Sequence, residues 1–129
     1  MCGITILTVP TIAYGGYYLL SLLSGRDKTP LTDFQRSMFR AGHAHAGVLV
    51  ILCLIAQLML DNTQISYGLE LATRICFPLA AILVSGGFFA SAAGRGLTQP
   101  NQFIVILYGG ALILVSSLII LGIALLKSR

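Results

Sequence analysis

The charged residues of this chain are placed so as to leave four long gaps. Eight Lys or Arg and four Asp or Glu all lie outside Met1–Gly25, Ala41–Leu60, Ile75–Gly94 and Gly96–Leu126, which are bounded by Arg26, Arg40, Asp61, Arg74, Arg95 and Lys127. The middle two gaps are each close to the roughly 20 residues that, at about 1.5 Å rise per helical residue, cross a hydrocarbon layer ~30 Å thick. Only 9% of the 129 residues are charged and 57% are hydrophobic, whereas a soluble domain carries about 25% charged residues. A soluble core of this size cannot absorb that much apolar surface. The gaps are continuously apolar rather than alternating, and a chain in lipid must satisfy its backbone hydrogen bonds within each segment, so helices are expected and barrel strands are not.

The expected fold is therefore all-α, an integral membrane up-and-down four-helix bundle forming one transmembrane domain over the whole chain, with helices at about 4–23, 33–60, 75–94 and 103–126. Short connections make consecutive helices antiparallel neighbours. The first span is expected to be retained rather than cleaved as a signal, because no Lys or Arg precedes it and no small-residue pair marks a cleavage point; no lipobox precedes Cys2. Three cysteines without close spacing, Cys2, Cys53 and Cys76, read as free thiols acting as small hydrophobes.

The net charge of +4 sits in short connections at the ends of the spans, which argues for membrane orientation and against nucleic acid. Arg26, Lys28, Arg36, Arg40 and Arg95 fall on one side; Arg74, Lys127 and Arg129 fall on the other. The excess of positive residues places loop one, Ser24 to Arg40, in the cytoplasm and both termini outside.

Local signals refine the spans. Thr32 and Gln35 form a capping-box pattern that starts the second helix well before its apolar part, and Arg36 and Arg40 follow at i,i+4, suited to snorkelling at an interface. Pro10 is expected to bend the first helix, with Thr8 and Thr11 near the freed carbonyl, and Pro78 to act likewise in the third. Gly86, Ala90 and Gly94, and Gly42 with Ala46, form small-residue ridges suited to close helix packing or to a homo-oligomer contact.

Chemistry concentrates in Gly42-His43-Ala44-His45-Ala46-Gly47, which holds both histidines of the chain. An ionisable group at this depth marks a functional hypothesis. At about 100° per residue the two rings point roughly 200° apart, so one helix cannot aim both at a single metal. Three readings remain. One histidine is a haem or transition-metal ligand whose partner comes from another helix or protomer; or the pair relays protons beside a pore or quinone site together with Gln57 and Tyr14, Tyr17 and Tyr18; or each ring simply bonds a neighbouring helix or the headgroup region. The candidate cofactor site comprises His43, His45, Arg40 and Tyr17, with His43 and His45 as metal ligands. Gly15 and Gly16, between the tyrosines, make room for a ligand or another helix, and Arg36, Arg40, Arg74, Arg95 and Asn101 suit an anionic ligand if they share one side. No M-x-x-M or C-x-x-C spacing supports copper.

The stretch Phe39-Arg40-Ala41-Gly42-His43-Ala44-His45-Ala46-Gly47-Val48-Leu49, with Pro10-Thr11-Ile12-Ala13-Tyr14-Gly15-Gly16 before it, resembles a group of small bacterial four-helix membrane proteins. This resemblance covers most of the chain and implies a bacterial inner membrane without implying an activity. In size, helix count, an Arg-Ala-His-type start to the second span and Gln99-Pro100-Asn101, the chain is also similar to the MAPEG family of membrane glutathione transferases. That would imply an enzyme acting on lipophilic substrates, but the family's Asn-x-x-Glu pair has no counterpart, since Ala44 to Leu49 contains no acid. The reading that follows is a non-catalytic accessory subunit or homo-oligomer of membrane redox machinery, with a transporter or channel and a MAPEG-like enzyme as alternatives.

Overall fold

Where the charges stop, helices run. The computed structural model describes residues 1–128 and is all-helical over them, with α1 (Cys2–Leu7), α2 (Val9–Leu23), α3 (Asp33–Leu60), α4 (Tyr67–Ser91) and α5 (Ile104–Lys127). Arg129, counted in the charge bias, lies outside the described residues. The first two segments are one span interrupted at Thr8, so four helices are long and apolar enough to cross a membrane. The interruption is the bend expected of Pro10, which sits at the start of α2. The Thr8 hydroxyl donates to the Thr5 carbonyl at 2.7 Å and the Thr11 hydroxyl to the Thr8 carbonyl at 2.6 Å, so, contrary to the expectation from sequence, neither serves the Ile6 carbonyl that Pro10 leaves without its helical N–H.

Three helices carry the core in a period of seven. On α4 the buried residues Thr73, Phe77, Ala80, Val84, Gly87 and Ser91 alternate steps of four and three. On α3 the seam runs Gly42, Leu49, Cys53, Ala56 and Leu60, and on α5 Gly110, Ser117, Leu121 and Ala124. This spacing keeps one stripe of each helix facing its neighbours, as in shallow-angle helix bundles. Cross-contacts fix the directions as antiparallel: the start of α3 meets the end of α4 through Gln35 and Ala92, and its end meets the start of α4 through Gln57 and Arg74. Gly87 lies against Leu107, and Gly110 against Val84.

The α1–α2 span is the outlier. It buries only Thr5 and packs mainly on α3, while most of the packing lies among α3, α4 and α5. The sides of the bundle expose many large apolar side chains, with Leu7, Val48, Ile82 and Leu112 each about two-thirds or more exposed, where a water-soluble monomer keeps its contiguous apolar patches to a few hundred Å².

Polar groups gather at the two ends. Thr32 and Gln35 make the expected capping box, the Thr32 Oγ1 accepting from the Gln35 backbone N–H at 3.2 Å and the Gln35 Oε1 accepting from the Thr32 N–H at 3.2 Å. Gln35 does more than cap α3. Its Nε2 donates to the carbonyls of Ala92 and Gly94 at 2.9 and 2.8 Å, satisfying the end of α4, and Asn101 Nδ2 donates to Ala90 and Ala93 at 3.0 and 3.1 Å. The Thr32 hydroxyl also donates to the Leu97 carbonyl, joining loop one to the connection between α4 and α5. Asn101, expected to help gather an anion, is thus occupied as a C-terminal cap.

Two boundaries differ from expectation. Helix α4 begins at Tyr67 rather than near Ile75, where the uncharged stretch starts, because Glu70 and Arg74 pair at i,i+4 and the helix runs on through them. It ends at Ser91 rather than Gly94, where φ is 145° and only glycine is comfortable.

In loop one the Asp27 carboxylate accepts from the Thr29 N–H at 2.9 Å and the Thr29 hydroxyl at 2.6 Å, and these bonds hold its pKa below the ordinary carboxylate value. A depressed folded-state pKa contributes order that is present above the ordinary value and lost as pH falls through the depressed one. Protection of the Thr29 amide against exchange, taken relative to its intrinsic rate at each pH, is therefore expected to fall on acidification below the ordinary carboxylate range, and an Asp27→Asn protein to lack that change in protection.

Candidate functional site

Both histidines lie on α3, within two turns of its exposed Arg40, and the structure separates them as helical geometry requires. His43 is half-buried and turned toward α2, while His45 is exposed and turned toward α4. The glycine pair of α2 explains the first placement. A Cβ on Gly16 would stand 3.1 Å from both Cε1 and Nε2 of His43, and one on Gly15 3.8 Å from Nδ1. The room between the tyrosines is thus filled by an imidazole from α3, and the α2–α3 contact is built on that fit.

His45 is held differently. Its Nδ1 lies 2.8 Å from the Ala41 carbonyl oxygen one turn back. A carbonyl only accepts, so Nδ1 carries the proton, and in the neutral ring the lone pair is on Nε2. The ring stacks on Phe88 of α4 with centroids 4.8 Å apart and planes tilted by 34°. Phe88 is positioned in turn by Gly42, where a Cβ would come within 3.0 Å of the Phe88 Cβ and 2.9 Å of the Phe89 ring. Hence the Gly42 approach foreseen in the sequence sets the stage for His45, which has its tautomer fixed and its second nitrogen without a hydrogen-bond partner among the described residues.

The other two members of the expected site do not join it. Tyr17 is 61% exposed and Arg40 is exposed, and neither makes a side-chain hydrogen bond or ion pair among the described residues. Gln57, expected to join the histidines in a proton relay, is 1% exposed and belongs to the opposite end of the bundle. There Pro78 lacks the N–H that would bond the Arg74 carbonyl, and Gln57 Nε2 donates to that carbonyl at 2.8 Å instead. Arg74 answers through Nη1, which donates to the Gln57 backbone oxygen at 3.0 Å and side-chain oxygen at 3.2 Å. Asp61 and Glu70 flank the same guanidinium at 2.5 and 2.8 Å. Arg74 is therefore enclosed in a polar cluster, away from Arg36, Arg40 and Arg95. The signal that would have found this cluster is the Pro78 ring four residues after Arg74, together with a lone amide on the facing helix.

No group of three or more His, Cys, Asp or Glu side chains converges among the described residues, and the free cysteines are scattered, Cys53 buried and Cys2 and Cys76 partly so. Comparison with protein-family models, curated proteins and solved structures returned no match.

Proposed function

We propose that the protein is a non-catalytic membrane subunit that holds a haem through His45 at a contact with a second chain. The observation that carries this reading is the His45 Nδ1–Ala41 bond of 2.8 Å, which orients the ring and presents Nε2 as a neutral ligand atom at the bundle surface. A backbone carbonyl on the far nitrogen is the usual means by which a protein fixes the tautomer and raises the basicity of a ligating histidine. Haem suits the site better than a chelated transition metal, because the macrocycle fills the equatorial positions and the protein need supply only one or two axial ligands. A second copy provides the second ligand economically, since a twofold contact pairs the same residue with itself. Ala41, one turn back on the His45 face, carries only a methyl group.

The setting is a bilayer. The four apolar spans, the apolar exterior and the confinement of charge to the two ends support insertion, and the Lys and Arg excess at the end carrying Arg36, Arg40 and Arg95 supports a cytoplasmic loop one with both termini outside. The resemblance of the Phe39–Leu49 stretch supports a bacterial inner membrane. An exposed imidazole with an uncommitted nitrogen is costly against hydrocarbon, which is a further reason to expect a ligand on it.

Hemin titration of the protein purified in mild detergent tests the reading. A saturating Soret band at roughly one haem per two chains is expected, lost in His45→Ala and retained in His43→Ala. Equal titrations for wild type and His45→Ala, or a protein that stays monomeric with hemin, overturn it.

A further inference from the structure

Between the α1–α2 span, α3 and α4 lies a cavity of about 230 Å³, separate from the His45 surface. Its wall is apolar apart from Thr5, Thr8, Thr11 and Ser85. These hydroxyls are not equivalent. Thr5, Thr8 and Thr11 spend their protons on the carbonyls of Met1, Thr5 and Thr8. Ser85 does not: it is 9% exposed, and its Oγ is the buried side-chain oxygen without a hydrogen-bond partner among the described residues. Helical serines ordinarily donate to the carbonyl one turn back, as Ser116 and Ser117 do on α5. An unmet hydroxyl in an apolar wall carries a desolvation penalty; the Ser85 Oγ is itself enclosed, so an acceptor entering the cavity relieves that penalty as the wall yields to it.

The cavity also has an entrance. Thr8 and Thr11 are exposed and Ile82 is 66% exposed, so it opens sideways between the first span and α4, where a membrane-dissolved molecule would arrive. The first span, burying only Thr5, is the element best able to give way.

We propose that this cavity binds a lipophilic carbonyl compound, its C=O accepting from Ser85 and its hydrocarbon part lying between α3 and the first span. Size sets the scale: a dry cavity of about 150 Å³ holds benzene, so a molecule of two fused rings fits here. The inference is independent of haem at His45, which faces Phe88 on the far side of α3 from the first span.

The test uses 6-fluoro-1-tetralone, read by fluorine NMR with the full chain in lipid nanodiscs, against 6-fluorotetralin, which has the same rings without the carbonyl. Expected are a saturable shift for the ketone beyond that in empty nanodiscs, affinity reduced roughly five- to tenfold in Ser85→Ala, a similar deficit for the hydrocarbon on wild type, and loss of binding in Ala46→Leu, which fills the cavity from α3. Folding of both variants is checked by circular dichroism, and Ser85→Ala removes only an oxygen. A ketone signal that merely follows lipid amount, or one equal in wild type and Ser85→Ala, overturns the proposal.

Discussion

Replacing Gln57 with Leu is expected to destabilise the protein by about 2–4 kcal/mol, although the substitution removes a polar group from an apolar bundle. The reason lies on the neighbouring helix. Pro78 withholds the N–H that would bond the Arg74 carbonyl, and Gln57 Nε2 supplies the missing donor at 2.8 Å. With Leu at 57 the carbonyl is stranded, at about 1–3 kcal/mol, and Nη1 of Arg74 loses its side-chain acceptor. The guanidinium keeps Asp61, Glu70 and the Gln57 backbone oxygen, so the loss stays below that of an unpaired buried charge. A double-mutant cycle makes the argument specific. Pro78→Ala restores the helical N–H, so adding it to Gln57→Leu should recover at least half of the loss, as measured by unfolding in detergent followed by circular dichroism. Strict additivity of the two changes would show that the carbonyl has no part in it.

The same cluster shows why one boundary was hidden in the sequence. Charge placement located the four spans because lipid-length apolar runs permit few structures. The start of α4 was missed because the uncharged stretch begins only after Arg74; the i,i+4 pair of Glu70 and Arg74 is a local signal that would have carried the helix back, whereas the further pairing of Arg74 with Asp61 at the end of α3 is a tertiary fact that no local pattern reports. The Thr32–Gln35 capping box and the Pro10 bend were legible because both are local, whereas the further use of Gln35, sealing the end of α4, depends on which helix lies opposite. The histidines divide in the same way. Their divergence follows from 100° per residue, but that His43 meets Gly16 and His45 meets Phe88 depends on neighbour order. The unpartnered Ser85 was not legible at all, because a cavity is the remainder after every helix has packed.

Substituting Ala for Gly87 should open the α4–α5 crossing, although Ala is the better helix former. The sequence pointed to Gly86, Ala90 and Gly94 as the close-packing ridge, but Gly86 is exposed and a Cβ there meets nothing within 4 Å. The seam uses Gly87 instead, the member of the pair that falls in the four-three spacing of Thr73, Phe77, Ala80, Val84 and Ser91. A Cβ on Gly87 would stand 2.5 Å from the Leu107 backbone nitrogen, and one on Gly110 would stand 2.7 Å from that of Val84. Backbone cannot rotate out of the way as a side-chain tip can, so the helices must part, at about 1–3 kcal/mol for overpacking against about 1 kcal/mol gained in helix propensity. Packing wins at these two positions. At Gly86 and Gly109, where a Cβ meets only open space, propensity acts alone and Ala should be neutral or stabilising by up to about 1 kcal/mol. Four single Ala variants unfolded side by side therefore give opposite signs within each glycine pair. The double change at Gly87 and Gly110 should cost less than the sum, because the first methyl already separates the backbones that the second would strike. Equal effects at Gly86 and Gly87 would place the α4–α5 contact on a different face and, with it, move Ser85 and Phe88 away from the cavity and from His45.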